Sequence, residues 1–280
     1  MEIVQDNKSL KKLCKNLIKN KIIYLDTEFL RDRTYWPLLC TIQIRTQRKS
    51  YLIDMMSDDQ MDFEQLKDIL KNKNILKVIH SARQDIEVLL YNFNLVVWPI
   101  FDTQLAYGLV SNENNIGYTN LVEKLFKIKL SKKYQQSNWN ERPLSKSQIN
   151  YAENDVKFLP KLHKIIVEKI RKKKKVIKLN IEINKLRELK NIFNIKEAYK
   201  RVKSKTLSKN ELKSLKSISE WREKTAQKIN IPRNWVISDK VIMQVVRKKK
   251  LKLIKLDDKN KNFNSRIDDF NKFLEIKKLV

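Results

Sequence analysis

Ile22-Ile23-Tyr24-Leu25-Asp26-Thr27-Glu28-Phe29 is the stretch on which the reading of this chain turns. An unbroken run of Ile, Tyr and Leu suits a pleated, buried strand. Two carboxylates close that run at a spacing of two. Alternate residues of a strand leave by the same face, so Asp26 and Glu28 project together with Cα atoms roughly 7 Å apart. A carboxylate beside a buried element is costly unless a partner compensates it. The stretch itself holds no lysine or arginine, so a cation gripped between the two acids is the expected partner.

The pattern recurs further along the chain. Asp85 opens a helical stretch just after Val78-Ile79-His80, at a sheet edge where ligands commonly sit. Asp155 follows Tyr151 by four residues in Tyr151-Ala152-Glu153-Asn154-Asp155-Val156. On a helix the two are neighbours, about 5–6 Å apart at Cβ. Four carboxylates from three segments are hard oxygen donors, which favour Mg2+ or Mn2+ over zinc. Facing a phosphodiester, such a set holds two metals, one generating hydroxide and one stabilising the departing 3′-oxygen. The Tyr151 phenol stands where an attacking water needs orienting.

Around these residues the pattern reads as alternating elements. Residues 21–25, 39–45 and 50–54 form strands, followed by a helix over 61–71 and a strand over 75–79. A helix over 83–93, a short strand near 99–101 and a helix over 103–110 come next, with Asp102 or Thr103 as its N-cap. Residues 118–127 are helical and 128–144 form a loop. A long helix starts at the capping box Ser145-x-x-Gln148 and runs to about 169. This is an α/β arrangement with a mixed sheet. Beyond the basic run Arg171 to Lys175 the chain turns helical, over 176–191, 195–203, 208–228, 238–248 and 265–278, interrupted at Pro232 and 255–264. Residues 1–170 are read as one domain, 171–204 as a helical connector, and 205–280 as a compact helical domain.

Of the 280 residues 41% are apolar, enough for a real core and too many for disorder. Lys+Arg number 61 against 32 Asp+Glu, a net charge of +29. Residues 1–170 carry 27 basic and 20 acidic side chains, and 171–280 carry 34 and 12, so the excess is +7 and +22. Such a field suits a polyanion, nucleic acid being the commonest. AT-rich coding, visible in the abundance of Lys, Asn and Ile, produces the same bias with no function attached. Two cysteines supply no disulfide framework or structural zinc set. Two glycines, Gly108 and Gly117, cannot build a Walker A loop or a dinucleotide fingerprint, which removes ATP-driven helicases and Rossmann dehydrogenases. Met1 to Lys12 is polar and no apolar run approaches the roughly 20 residues of a membrane span. A soluble, cytoplasmic, monomeric protein is expected.

Taken together, the motifs carry a family resemblance. Leu25-Asp26-Thr27-Glu28-Phe29, with Arg31, Arg33 and Thr34-Tyr35-Trp36-Pro37 after it, resembles the first exonuclease motif of ribonuclease D. His80-Ser81-Ala82-Arg83-Gln84-Asp85-Ile86-Glu87-Val88-Leu89 is similar to the second, and Phe101-Asp102-Thr103-Gln104 matches a landmark close behind. Trp139-x-x-Arg142-Pro143-Leu144 and Tyr151-Ala152-x-x-Asp155-Val156 resemble the third, in its tyrosine variant. Leu215-x-x-Ile218-x-x-Trp221-Arg222-x-x-x-Ala226 and Ile231-Pro232-x-Asn234-Trp235-Val236-Ile237-x-Asp239 resemble the helical HRDC domain shared by RecQ helicases and ribonuclease D. Asn138 stands where the family more often has Asp.

The resemblance implies a ribonuclease-H-like mixed sheet flanked by helices, with a C-terminal all-α, HRDC-like domain. It implies a 3′→5′ exoribonuclease that releases 5′-mononucleotides with two Mg2+ or Mn2+. Asp26, Glu28, Asp85 and Asp155 are then metal ligands, and Tyr151 serves the nucleophilic water. The expected partner is RNA with a single-stranded 3′ end, such as precursor tRNA. Candidates for substrate binding are Phe29, Arg33, Tyr35, Trp36, His80 and Lys133. Tyr35 and Trp36 either stack on the terminal base, at about 1–3 kcal/mol per base, or anchor their loop by burial. Arg31, Arg33, Lys132 and Lys133 either touch phosphates or are solvated, and His80 suits a core histidine as well as a site residue. Asp102 reads as a helix cap first. Two other functions stay open: a repair-type DNA exonuclease with the same machinery, and a silent RNA-binding protein that kept the scaffold.

Overall fold

The structure, a computed structural model, describes residues 1–188, 194–204, 206–247 and 267–277. Its chain divides into two compact units, Met1–Leu30 with Pro37–Ile192, and Arg31–Trp36 with Phe193–Val280. In the first unit the order is β1 (Glu2–Val4), α1 (Asn7–Leu17), β2 (Ile22–Leu30), β3 (Leu38–Arg45), β4 (Ser50–Asp54), α2 (Glu64–Lys71), β5 (Leu76–Ile79), α3 (Arg83–Phe93) and β6 (Ile100–Asp102). Then come α4 (Thr103–Gly108), α5 (Tyr118–Phe126), α6 (Lys146–Lys157), α7 (Leu159–Lys172) and α8 (Val176–Arg187).

The six strands form one mixed sheet in the order β1-β4-β3-β2-β5-β6. β3 pairs antiparallel with both β2 and β4, and the remaining pairings are parallel. Every strand except β3 therefore points the same way, and their carboxyl ends share one edge. β3 and β4 are buried almost without interruption, from Leu39, Cys40, Ile42 and Ile44 to Leu52 and Ile53, the mark of a sheet covered on both faces. α3 packs on β2 and β3, and α6 on β2, β3 and β4.

Three local features depart from the sequence reading. β2 continues to Leu30, so Asp26 and Glu28 lie within a strand rather than at its end. The long helix expected over 145–169 is two, α6 and α7, broken at Phe158. Pro160 accounts for this, because it has no N–H for the ladder and its ring collides with the preceding turn. β1 and α1 lie in a segment read only as polar, where Asp6 caps the helix by accepting from the Ser9 N–H at 2.8 Å. The Ser145–Gln148 capping box is present in both directions.

The second unit contains a 3-10 turn (Ile195–Arg201), α9 (Lys209–Ile229), α10 (Arg233–Val236), α11 (Asp239–Arg247) and α12 (Ile267–Ile276). α9 starts on the Ser208–Glu211 capping box and ends at Asn230 with φ of 52°. Leu215, Ile218, Ala226, Val236, Ile237, Ile242, Phe270 and Leu274 make its core, and Tyr35 joins them from the 31–36 segment. The segment read as a connector is shared: α8 packs on α4 and β6, whereas Ile195–Arg201 packs on α9. The division between the two units, after Ile192, falls within that segment. The expected interruption at 255–264 and the ends of the helices expected at 176–191, 238–248 and 265–278 lie outside the described residues. Among those residues, no helix is long and apolar enough to cross a membrane.

Candidate metal centre

The acidic cluster assembles from three elements that meet at the carboxyl edge of the sheet. β2 is held by β5 only through Ile22–Tyr24, while β3 accompanies it to Leu30 with a register shift between Glu28 and Phe29. Asp26 and Glu28 therefore project from the portion of β2 that only β3 flanks. One carboxylate oxygen from each of Asp26, Glu28 and Asp155 lies within 4.8 Å of the others.

α3 delivers Asp85 in its first turn, buried at 6% exposure. The Thr27 hydroxyl donates to Asp85 Oδ1 at 2.7 Å, tying helix to strand between the two β2 acids. The start of α3 is itself pinned by Asp102, whose buried carboxylate accepts from the N–H groups of Ser81 (3.1 Å) and Ala82 (2.8 Å). The same carboxylate caps α4 through the Gln104 and Leu105 N–H groups at 2.8 and 3.1 Å. Asp102 thus acts as a cap and also fixes the approach of Asp85.

α6 brings Tyr151 and Asp155 one turn apart, close enough for the phenol and the carboxylate to influence each other's ionisation. The approach to this helix is clamped. Arg142 Nε donates to Asp54 Oδ1 and Oδ2 at 2.8 and 2.7 Å, and its terminal nitrogens reach the carbonyls of Cys40 (3.1 Å) and Trp139 (2.8 Å). Trp139 is 1% exposed, packed with Cys40, Leu52 and Ala152, and its ring stands 6.0 Å from that of Tyr151.

The electrostatics are those of crowded acids removed from water. Burial raises Asp26 well above the ordinary carboxylate range, and the charge of Asp155 adds to it. Burial raises Glu28 likewise, with Asp26, Asp155 and Asp85 contributing in that order. Asp85 is raised by burial and then by Asp26. Asp155 is pushed up to about 7 by burial, against the neighbouring Tyr151 hydroxyl, which lowers it. The Tyr151 phenol is raised by burial and by Asp155, Glu28 and Asp26. Among the described residues, no lysine or arginine offsets the shift of any of the four acids. Hard oxygens at this spacing, short of positive charge, fit a divalent cation.

The substrate-binding candidates separate. Phe29 is half-buried beside the register shift. Lys133 is exposed with its ammonium over the Tyr134 ring at 5.7 Å, and Arg33 is exposed and 3.9 Å from the Asp32 carboxylate. The stacking reading of Tyr35 and Trp36 does not hold. Tyr35 is 9% exposed inside the core of the second unit, and Trp36 packs against that core with its indole N–H donating to the Gln227 carbonyl at 3.2 Å. His80 is a structural clamp rather than a site residue: Nδ1 meets the Thr103 hydroxyl at 2.9 Å and Nε2 the Ile116 carbonyl at 3.0 Å. Sequence reasoning missed Thr27, whose hydroxyl meets its carboxylate only in three dimensions. It also missed Tyr118, whose hydroxyl donates to the Asn154 carbonyl at 2.8 Å and accepts from the Phe158 N–H at 3.2 Å, bracing the junction of α6 and α7. No local signal in the chain marks either.

Comparison with known proteins agrees with this geometry. The family model for a 3′–5′ exonuclease matches residues 1–171, and that for an HRDC domain matches 211–256. Ribonuclease D of Bartonella henselae is 33% identical over 268 residues, covering 94% of this chain and 66% of the relative. The chain therefore spans just under two thirds of that relative's length. The crystal structure of Escherichia coli RNase D, an exoribonuclease involved in structured RNA processing, superposes with a TM-score of 0.82 at 23% identity, covering 100% of this chain and 75% of that one. Brucella melitensis NrnC with bound Mg2+ gives a TM-score of 0.59 at 21% identity, over 75% of this chain and 100% of that one.

Proposed function

This chain belongs to the 3′–5′ exonuclease family, with curated ribonuclease D among its relatives, and from that premise we propose that it is a metal-dependent exoribonuclease. It trims RNA from the 3′ end and releases 5′-mononucleotides. The observation that supports this reading is that Asp26, Glu28 and Asp155 bring carboxylate oxygens within 4.8 Å of one another, with Asp85 near enough for its charge to raise Glu28 and Tyr151 one helical turn from Asp155.

Asp26, Glu28, Asp85 and Asp155 would hold two Mg2+ or Mn2+. When bound, these ions supply the Lewis acidity that activates water and stabilises the departing 3′-oxygen. The protein's own contribution is placement. Tyr151, one turn from Asp155 and beside the Trp139 ring, orients the water for in-line attack. Thr27 holds Asp85, while Asp102 and Arg142 fix the two helices that complete the set. Support for a divalent cation comes from the Mg2+ in the NrnC neighbour.

The substrate is RNA with a single-stranded 3′ end on a structured body, precursor tRNA being the natural example. The structured RNA processing attributed to the E. coli enzyme supports this. The HRDC match and the excess of +22 beyond residue 170 supply a grip on phosphates. The reading also takes the protein to act in the cytoplasm as a monomer. Digestion of matched RNA and DNA oligonucleotides, with Mg2+, Mn2+ and EDTA arms, tests it. RNA should shorten stepwise from the 3′ end and EDTA should stop it. Faster loss of DNA would replace the substrate class, and degradation that persists in EDTA would refute the metal mechanism.

A further inference from the structure

We propose that Lys8, Lys11, Lys12 and Lys15, a lysine stripe along the outer face of α1, form a phosphate-binding surface on the nuclease unit itself. It takes the RNA backbone a few nucleotides upstream of the 3′ end, and so rests on the exoribonuclease reading above. At spacings of three and four residues the four side chains share one face of the helix. All four are exposed, while Leu10, Leu13, Cys14 and Leu17 are buried on the opposite face. With Asn7, the four lysines line a surface recess of about 590 Å³.

The stripe is costly to the helix that bears it. Lys8–Lys11, Lys8–Lys12, Lys11–Lys15 and Lys12–Lys15 are like-charged neighbours, and each such pair weakens a helix. Lys8 also stands in the first turn, where the helix dipole disfavours a cation and no acid is present. α2, which packs beside α1, answers its lysines: Lys67 pairs with Glu64 at 2.6 Å and Lys71 with Asp68 at 3.2 Å. Among the described residues, none of the four α1 lysines is ion-paired. Acids around the start of the helix are committed elsewhere. Asp6 caps Ser9, Asp59 accepts from the Asn7 N–H at 3.2 Å, and Glu2, which feels the charge of Lys12, is paired with Lys49. Base composition explains many lysines, but not their gathering on one face of α1 while α2 alternates them with acids.

Position puts the stripe in the path of the substrate. α1 is the crossover from β1 to β2, so it begins at the carboxyl edge, where the acids meet, and runs back along the sheet. β1 lies three strand spacings from β2, roughly 14 Å. Lys8 stands at that edge and Lys15 about 10 Å further back. RNA whose last phosphodiester is at the metal centre covers that lateral distance in about four stacked nucleotides. The helix is anchored where it starts: the Asn7 amide donates to the Gln60 carbonyl at 2.9 Å, and its oxygen accepts from the Asp62 N–H at 2.7 Å.

Full-length protein carrying Lys8→Gln, Lys11→Gln, Lys12→Gln and Lys15→Gln tests this. A control variant loses the same charge from the exposed Lys21, Lys73, Lys161 and Lys164, also as glutamine. Glutamine is a good helix former and removes the repulsion, so the stripe variant should melt no lower than wild type. Affinity is read in EDTA by anisotropy of a labelled RNA hairpin with a single-stranded 3′ tail, across salt concentrations. The stripe variant should lose about 0.7 to 0.9 from the slope of log affinity against log salt for each phosphate contact removed, about 3 for all four. The control should keep the wild-type slope. With Mg2+ present, the stripe variant should show a raised KM for the hairpin at unchanged kcat. Its cleavage of a 5′-hydroxyl dinucleotide should match wild type, because the single phosphodiester lies at the metal centre and leaves none for α1. If the quadruple variant fails to fold, Lys8→Gln with Lys12→Gln carries the test at half the shift. A slope that superimposes on wild type overturns the proposal and leaves the stripe to an acidic protein or to solvent. Equal losses in the stripe and control variants overturn it too, since net charge would then act without a site. So does a matching fall in dinucleotide cleavage, which would place the effect at the metal centre. Wild-type protein that leaves every RNA intact with Mg2+ and Mn2+ would sink the assigned function, while the slopes in EDTA would still decide the stripe.

Discussion

Asp155 gives up its proton only near pH 7 in the metal-free protein, because burial penalises its charge. A cation must displace that proton to bind. Below about 7 the proton competes, and above it the carboxylate is free, so Mn2+ affinity and activity should both rise as pH climbs through that value. Isothermal titration at about pH 5.5 and about pH 8 checks this, and equal affinities would remove Asp155 from the ligand set. On the proposed mechanism Tyr151 acts on water rather than on metal, so Tyr151→Phe should lower kcat about 10²- to 10⁴-fold with Mn2+ affinity unchanged. Comparison of the two constants in one variant separates the roles. The clustering of Asp26, Glu28 and Asp155 was legible because an acid inside an apolar run is a local anomaly. Tyr35, Trp36 and His80 stayed open between two readings because burial depends on distant residues. An aromatic near a catalytic motif reads the same whether it faces a base or a core.

At the level of elements, α6 carries two site residues yet is fixed from outside itself. Arg142 joins the loop before it to Asp54 at the end of β4 and to the Cys40 carbonyl on β3. Asp54 is 5% exposed, and removing one partner of such a pair strands a buried charge. Arg142→Ala should therefore destabilise the protein by roughly 3–5 kcal/mol in urea denaturation, and lower kcat more than it raises KM. A variant with full stability and full activity would show that α6 is positioned by packing alone. The capping box at Ser145 was readable, since a cap is a pattern of neighbouring residues, and the one at Ser208 has the same pattern. The break in the long helix was written in Pro160 and passed over in favour of apolar periodicity. The length of β2 was hidden for another reason: acids disfavour strands on average, and only the pairing with β3 overrides that preference.

For the whole molecule, charge and covalent layout bear on different steps. The excess of +22 beyond residue 170 predicts salt-sensitive RNA binding. Replacing the exposed Lys209, Lys213 and Lys228 with glutamine should lower the slope of log affinity against log salt by about 0.7 for each phosphate no longer neutralised. Anisotropy of a labelled single strand across salt concentrations gives that slope, and an unchanged slope would assign those charges to base composition. The presence of two domains was readable from the shift in charge and periodicity. The excursion of residues 31–36 was not, because it breaks the rule that a unit is continuous in sequence. That excursion has a hereditary consequence. A gene for the nuclease half alone, cut cleanly between 192 and 193, would leave Tyr35 and Trp36 behind as a greasy stub with nothing to cover it. A gene for the helical half would lack a piece of its own interior. A clean separation of the halves therefore has to carry residues 31–36 along with the helical one.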